Sequence, residues 1–83
     1  MSEAEIYVFL RQVFAQVFDR DDIELHPALA ARDVVGWDSF RQVEINLALE
    51  EKFNIRIRTR EMQDVANLGD LVALVTRKIG AAG

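Results

Sequence analysis

The chain has 83 residues, enough for one small domain, and 51% of them are hydrophobic. It contains no cysteine and a single histidine, which excludes disulfides, thiolate catalysis, cysteine zinc sites and histidine metal clusters. The net charge of −4 argues against nucleic acid as the main partner. No apolar run is long enough to span a membrane, and the first residues are acidic where a signal peptide is basic. We therefore expect a single monomeric domain over residues 1–83, located in the cytoplasm.

The first predicted element is a helix over residues 3–18. Ser2 is the expected N-cap, and Glu5 lies at the capping-box position three residues later. The polar face is not basic, unlike that of a helix that lies on a membrane surface. We expect the apolar stripe to face the core; it consists of Ile6, Phe9, Leu10, Val13, Phe14 and Val17.

A connection over residues 19–38 follows. Pro27 fixes a local extended or turn geometry and biases His26 away from helix. The aliphatic residues of this segment follow no clear period, and residues 28–32 have the composition of a single helical turn. We expect an ordered loop pinned by its aliphatic side chains, with His26 as a turn residue rather than a ligand or a base.

A strong helical pattern begins at Gly36–Phe40 and continues to Phe53, with Ser39 at the junction. A serine at a helix start is commonly the N-cap, because its hydroxyl accepts a hydrogen bond from the first turn. It is also a possible attachment point for phosphate, which the positive end of the helix dipole stabilises. Position alone leaves both interpretations open and favours the cap.

The helix predicted over residues 39–53 is apolar on two sides. Such a helix is either buried on both sides, or faces the core with one side and a partner with the other. Periodicity alone does not decide between the two. One side consists of Phe40, Val43 and Leu47, flanked by Glu44, Glu50 and Glu51, and the nearly opposite side consists of Ile45, Leu49 and Phe53.

Residues 54–60 alternate like a strand but have no partner strand, so we expect an extended connector. Ile55 and Ile57 should point inward, with Arg56, Arg58 and Arg60 in solvent. The alternative is that these arginines bind phosphate or an acidic surface. Thr59 is the expected cap of a short helix over residues 60–65.

A final helix is predicted over residues 68–79, with Asn67 as its N-cap and Asp70 at the capping-box position. Gly80 is the expected stop, with Arg77 and Lys78 in the last turn and a frayed tail after it. Its stripe consists of Leu68, Leu71, Val72, Val75 and Ile79.

The segment Asp38-Ser39-Phe40, followed by Val43-Glu44 and by Ala48-Leu49-Glu50-Glu51-Lys52-Phe53, resembles the signature of acyl carrier proteins. The resemblance extends over nearly the whole chain and is most specific from Gly36 to Ile57. The Gly-Trp-Asp-Ser form is similar to discrete carriers of specialised pathways, since the housekeeping fatty-acid carriers usually have a small residue where Trp37 stands.

The resemblance implies an all-α fold: a small four-helix bundle of three longer helices and one short helix, with a long loop between helices 1 and 2. It also implies a carrier rather than an enzyme. In this family a separate phosphopantetheinyl transferase attaches 4′-phosphopantetheine from coenzyme A to the serine, here Ser39 beside Asp38. The terminal thiol of the arm then carries an acyl group as a thioester, which explains why the chain needs no cysteine.

The same resemblance implies that enzymes which load and transfer acyl groups bind Phe40, Val43 and Leu47, with Glu44, Glu50 and Glu51 as an acidic rim. Some residues depart from the family pattern. Phe40 replaces a common leucine. Several basic residues also dilute the acidity of this region: Arg41, Lys52, Arg56, Arg58 and Arg60. We expect dedicated partner enzymes with a less basic docking surface than those of general fatty-acid synthesis.

Three functions remain open from the sequence. The first is an acyl carrier for a specialised fatty-acid, polyketide or lipid-modifying pathway. The second is a peptidyl carrier that holds an aminoacyl thioester. The third is an unmodified helical module in which Ser39 is only a cap and the helix binds a protein.

Overall fold

A computed structural model describes residues 2–82, which form helices and loops with no β-strand among them. The predicted all-α fold with a long loop after the first helix is confirmed, and the short helix takes the tighter 3₁₀ form. The three α-helices are α1 (Glu3–Phe18), α2 (Ser39–Phe53) and α3 (Leu68–Ala82), and the two 3₁₀ helices span Ala31–Asp33 and Thr59–Asp64.

Helix α1 has the bounds predicted from the sequence. The Ser2 hydroxyl accepts a hydrogen bond from the Glu5 backbone N–H at 3.4 Å, so the predicted cap is confirmed. At the other end Asp19 adopts the left-handed conformation, with φ of 53°, and its N–H donates to the Ala15 carbonyl. Aspartate tolerates this conformation better than most residues, which explains why the helix ends here.

Helix α1 packs against both α2 and α3. The apolar stripes predicted for the three helices meet in a single core, to which the long loop adds two aliphatic side chains. Phe9 lies at its edge, where its ring packs edge-on against Phe53 with centroids 5.6 Å apart. The buried core comprises Ile6, Leu10, Val13, Phe14, Leu29, Val34, Ile45, Leu49, Leu68, Leu71, Val72 and Val75.

The long loop is ordered because it is hydrogen-bonded to the start of α3. The Pro27 carbonyl accepts from the Gly69 N–H at 2.9 Å, and the Leu29 carbonyl accepts from the Leu68 N–H at 2.8 Å. Both N–H groups belong to the first turn of α3 and have no acceptor within their own helix. The loop backbone therefore completes the start of a helix about forty residues later in the chain.

Two predictions within the loop have different outcomes. His26 is an exposed turn residue, as predicted, and its carbonyl accepts from the Leu29 N–H at 3.0 Å. The single helical turn for which residues 28–32 have the composition lies instead at Ala31–Asp33. The Asp33 carboxylate accepts from the Ala30 N–H at 2.9 Å, and this side-chain contact places the turn later than composition indicated.

The connector after α2 is extended, with Ile55 and Ile57 partly buried and the three arginines exposed, as predicted. The prediction that Thr59 caps the next helix is wrong, because Thr59 is its first residue. The Glu61 carboxylate reaches back to the Arg58 N–H at 2.9 Å and so starts the turn one residue earlier.

Helix α3 begins as predicted, since the Asn67 side chain accepts from the Asp70 N–H at 2.9 Å. The predicted stop at Gly80 is wrong, because the helix continues to Ala82. A glycine costs a helix only about 1 kcal/mol, and the two alanines that follow are strong helix formers.

Lys78 therefore lies before the last turn of α3, where it pairs with Glu61 at 2.8 Å. The hydrogen bond from Lys78, helped by the Arg58 N–H, lowers the pKa of the Glu61 carboxyl below its usual value. The ion pair fastens the second 3₁₀ helix to α3.

We predict very different losses of stability when two leucines of α2, two residues apart, are replaced by alanine. Leu49 is fully buried, whereas Leu47 is 57% exposed. Leu49→Ala should lower the free energy of unfolding by about 2–5 kcal/mol because it leaves a cavity, and Leu47→Ala should change it by no more than about 0.5 kcal/mol. Urea denaturation followed by circular dichroism measures both; equal losses would contradict the assignment of the two faces.

A second matched pair concerns glycines. Gly36 has φ of +89° with open space around its α-carbon, whereas Gly80 is helical and equally unobstructed. Gly36→Ala should destabilise the fold by about 1–2 kcal/mol through backbone strain alone. Gly80→Ala should stabilise it by up to about 1 kcal/mol, since alanine is the better helix former. Thermal denaturation of both variants checks the signs; a stabilised Gly36→Ala variant would refute the argument.

Candidate functional site

Trp37 positions the start of α2 against α1. Its ring lies edge-on to Phe14 with centroids 5.1 Å apart and contacts Phe18 at 6.2 Å. Its indole N–H donates to the Gln42 side chain of α2 at 2.8 Å. The side chain thus contacts the core with one end and α2 with the other, and it fixes the two residues that follow it.

Asp38 is the N-cap of α2. Its carboxylate accepts from the Arg41 N–H at 2.9 Å, and its carbonyl accepts from the Gln42 N–H at 2.9 Å. Ser39 is the first residue of the helix and is exposed. Among residues 2–82 no group hydrogen-bonds to the Ser39 hydroxyl, so the capping role that position alone favoured for Ser39 belongs to Asp38.

The first turn of α2 is suited to an anion. The N–H groups of Ser39 and Phe40 have no acceptor within the helix, and the helix dipole is positive at this end. A phosphate ester on the Ser39 hydroxyl would lie beside these groups. The site therefore fits a phosphate-linked group carried by Ser39.

The outer face of α2 is an exposed apolar strip, which we define as Phe40, Val43 and Leu47. These side chains are 69%, 55% and 57% exposed, whereas Ile45 and Leu49 on the other side are fully buried. Of the two arrangements that periodicity left open, the structure has the one with an exposed face. An apolar strip of this kind on a small protein is typical of a surface that binds another protein.

The three carboxylates expected beside the apolar strip have different surroundings. Glu44 pairs with Arg41 at 2.7 Å. Glu50 accepts from the Ile57 N–H at 2.7 Å and so holds the connector against α2, whereas Glu51 is exposed. Much of the acidic charge near the strip is therefore engaged within the chain.

A groove of about 650 Å³ lies between α2 and the segment that leads into α3. Ser39 is one of its lining residues, and apolar side chains from both sides line it, among them Val43, Met62 and Leu68. Two amide side chains, Gln42 and Asn46, line the α2 wall. The groove thus includes Ser39 among its lining residues and combines apolar with polar walls.

Sequence reasoning identified Ser39, Asp38 and the apolar strip but missed the groove and the contacts of Trp37. Gln42 and Asn46 are four residues apart, and Ser39 shares their side of the helix, so helical spacing alone would have placed the three together. The opposite wall comes from residues that are distant in the chain, and no local pattern indicates that they approach α2.

Two classes of feature are absent from the described part of the chain. No group of three or more histidine, cysteine, aspartate or glutamate side chains is arranged to bind a metal within residues 2–82. Over the same residues no helix is long and apolar enough to cross a membrane.

Comparisons with known proteins agree with this geometry. The family model described as "Phosphopantetheine attachment site" matches residues 8–75. An acyl carrier protein of Exiguobacterium sp. is 29% identical over 79 residues, covering 95% of this chain and all of the relative. An acyl carrier protein of Helicobacter pylori strain J99 is 33% identical over 66 residues, covering 80% of this chain and 85% of the relative.

A solved structure agrees as well. The chain is similar to the solution structure of a holo acyl carrier protein from Geobacter metallireducens, with a TM-score of 0.81 and 36% identity. The match covers 88% of this chain and 84% of that one.

The family is therefore shown over most of the chain, and with it the cofactor and the absence of an enzymatic role. The cofactor is a covalently attached 4′-phosphopantetheine, and the protein acts as a carrier. The chain belongs to the acyl carrier protein family, whose members carry the phosphopantetheine attachment site.

Proposed function

We propose that Ser39 is the residue to which 4′-phosphopantetheine is attached, and that the protein holds acyl intermediates for a specialised fatty-acid, polyketide or lipid-modifying pathway. The observation that supports this most directly is that Asp38, and not Ser39, is the N-cap of α2. Asp38 caps the helix, which leaves the Ser39 hydroxyl exposed and unpaired among residues 2–82.

The residues around Ser39 supply the binding side of this function. The free N–H groups of the first turn and the helix dipole favour the phosphodiester, and Asp38 keeps that turn in place. The bound group supplies a flexible arm ending in a thiol, which holds the acyl cargo as a thioester. The chain itself has no cysteine, so its residues position and present the cargo.

We further propose that the apolar strip, with Glu44, Glu50 and Glu51 beside it, is the surface that a phosphopantetheinyl transferase and the acyl-loading and acyl-transfer enzymes bind. The strip is on the helix that Ser39 begins, so an enzyme seated on it has its active site near the arm. Exposed large apolar side chains are the usual anchors of such contacts, and charges around them steer the encounter.

Ser39 is tested by intact mass after incubation with coenzyme A and a phosphopantetheinyl transferase. The chain has two serines, each at the start of a helix, which provides a matched control. Ser39→Ala should abolish the gain of one phosphopantetheine, and Ser2→Ala should retain it. Because Asp38 provides the cap, Ser39→Ala should stay folded, which circular dichroism checks.

The alternatives give different results in the same experiment. No gain of mass with several transferases would favour the unmodified helical module, and a gain that survives Ser39→Ala would place the arm elsewhere. A peptidyl carrier would gain the same mass, so loading by acyltransferases against adenylating enzymes distinguishes it.

The charges around the strip support dedicated partner enzymes. Arg41 neutralises Glu44 and lies 5.7 Å from the centre of the Phe40 ring. Lys52 lies in the last turn of α2, and three exposed arginines follow it in the connector and at the start of the second 3₁₀ helix. A partner with a strongly basic docking surface would meet fewer free carboxylates here, so we propose partners whose docking surface is less basic.

We predict that a pathway-specific acyltransferase loads the holo protein more efficiently than a housekeeping one. Arg41→Gln releases Glu44 and should raise transfer by the housekeeping enzyme up to about fivefold, as expected when an exposed charge pair worth about 1 kcal/mol is changed. Arg77→Gln removes the same charge from α3 and should have no effect. Equal efficiency of the two enzymes on the unaltered carrier would count against dedicated partners.

A further inference from the structure

The α2 wall of the groove carries a chain of hydrogen-bonded side chains, which we call the polar track: Trp37, Gln42 and Asn46. The Trp37 indole N–H donates to the Gln42 side-chain oxygen at 2.8 Å. The Gln42 amide nitrogen donates in turn to the Asn46 side-chain oxygen at 2.9 Å. All three side chains line the groove together with Ser39.

The chemistry of the groups fixes the direction of the polar track. An indole N–H only donates, so the oxygen of Gln42 must face Trp37 and its nitrogen must face Asn46. The oxygen of Asn46 is then occupied, and its amide nitrogen remains as the last donor of the track. Among residues 2–82 no acceptor is paired with that nitrogen, and the Asn46 side chain is only partly exposed.

The free donor is in line with Ser39 along the helix. Asn46 is seven residues after Ser39, which corresponds to about 10 Å along the axis and a rotation of only about 20° around it. A chain tethered to the Ser39 hydroxyl and lying in the groove therefore passes over the Asn46 amide. Apolar side chains such as Met62 and Leu68 line the groove as well.

We propose that the Asn46 amide binds a carbonyl oxygen of the chain tethered at Ser39, and so positions that chain in the groove. The inference rests on the proposed attachment at Ser39. Its ligand is a chain with carbonyl oxygens: at about 10 Å from Ser39 these are the amide groups of the extended 4′-phosphopantetheine arm. The 3-oxo group of an oxidised acyl cargo lies beyond the arm's thiol and reaches Asn46 when the arm folds back. A saturated cargo offers no such oxygen beyond its thioester.

Two-dimensional proton–nitrogen NMR of the Asn46 side-chain NH₂ tests the proposal on four samples: apo, holo with a free thiol, hexanoyl and 3-oxohexanoyl protein. One Asn46 amide proton should shift downfield when an oxygen binds it. A shift between apo and holo identifies the arm as the source. A shift that appears only between hexanoyl and 3-oxohexanoyl identifies the cargo. No shift in either comparison overturns the proposal.

Matched variants separate binding from general effects of the arm. Asn46→Asp keeps the shape and the acceptor for Gln42 but removes the free donor. The backbone shifts that accompany arm attachment should therefore shrink at α2 residues near position 46. Asn67→Asp makes the same change at another residue that lines the groove, where the side-chain oxygen that caps α3 is retained. It should leave the shifts intact, and identical shifts in both variants would refute the role of Asn46.

Intact mass recorded on each sample keeps the two proposals apart. If the protein gains no phosphopantetheine, the proposed attachment at Ser39 is refuted. If it gains phosphopantetheine but the Asn46 amide shows no shift, only the proposed role of the polar track is refuted. The net strength of one hydrogen bond predicts that Asn46→Asp lowers the groove-bound fraction of the chain roughly two- to tenfold relative to the free fraction.

Discussion

The packing of Trp37 against α1 is the contact on which the start of α2, with Asp38 and Ser39, depends. Its ring lies against Phe14 and Phe18, and its indole N–H is hydrogen-bonded to Gln42 of α2. Asp38 and Ser39 follow directly, so the direction in which α2 leaves the loop is set by an aromatic cluster in the core. If the loop were flexible at this point, the first turn of α2 would fray. The N–H groups that suit a phosphate would then lose their fixed positions.

Helix α2 meets three requirements on three sides. Ile45 and Leu49 bury one side in the core, and the apolar strip leaves another side exposed to solvent. The side between them carries Ser39 and the polar track and, together with Val43 and Leu47 of the strip, forms one wall of the groove. Such a helix has a weakly amphipathic sequence, because each side follows its own pattern. The part of the chain that is hardest to interpret as a simple helix is therefore the part that carries Ser39 and the apolar strip.

The bounds of α1 and α2 were predictable because local signals determine them: a serine cap and an aspartate cap at the starts, and polar residues that tolerate positive φ at the ends. Ser39 was proposed as the attachment site through its motif rather than through its position, which alone favoured a cap. The positions of the two 3₁₀ helices were mispredicted because side-chain contacts to the backbone decide them, and the stop at Gly80 was mispredicted because the helix propensity of the alanines after it outweighs one glycine. The contact of Asp33 places the turn of the loop later than composition indicated, and the contact of Glu61 starts the second 3₁₀ helix one residue earlier than predicted. The groove joins segments that no local pattern connects.

The hydrogen bonds from Leu68 and Gly69 to the loop also bear on how the protein opens. The acceptors are the carbonyls of Leu29 and Pro27, which precede α2 in the sequence, whereas the donors follow it. A loop that lifts away takes both acceptors with it, so the first turn of α3 loses its partners in the same event. The loop and that turn should therefore form one cooperative opening unit. Deuterium uptake at the Leu68 and Gly69 amides would then report how often the loop and the first turn of α3 open together.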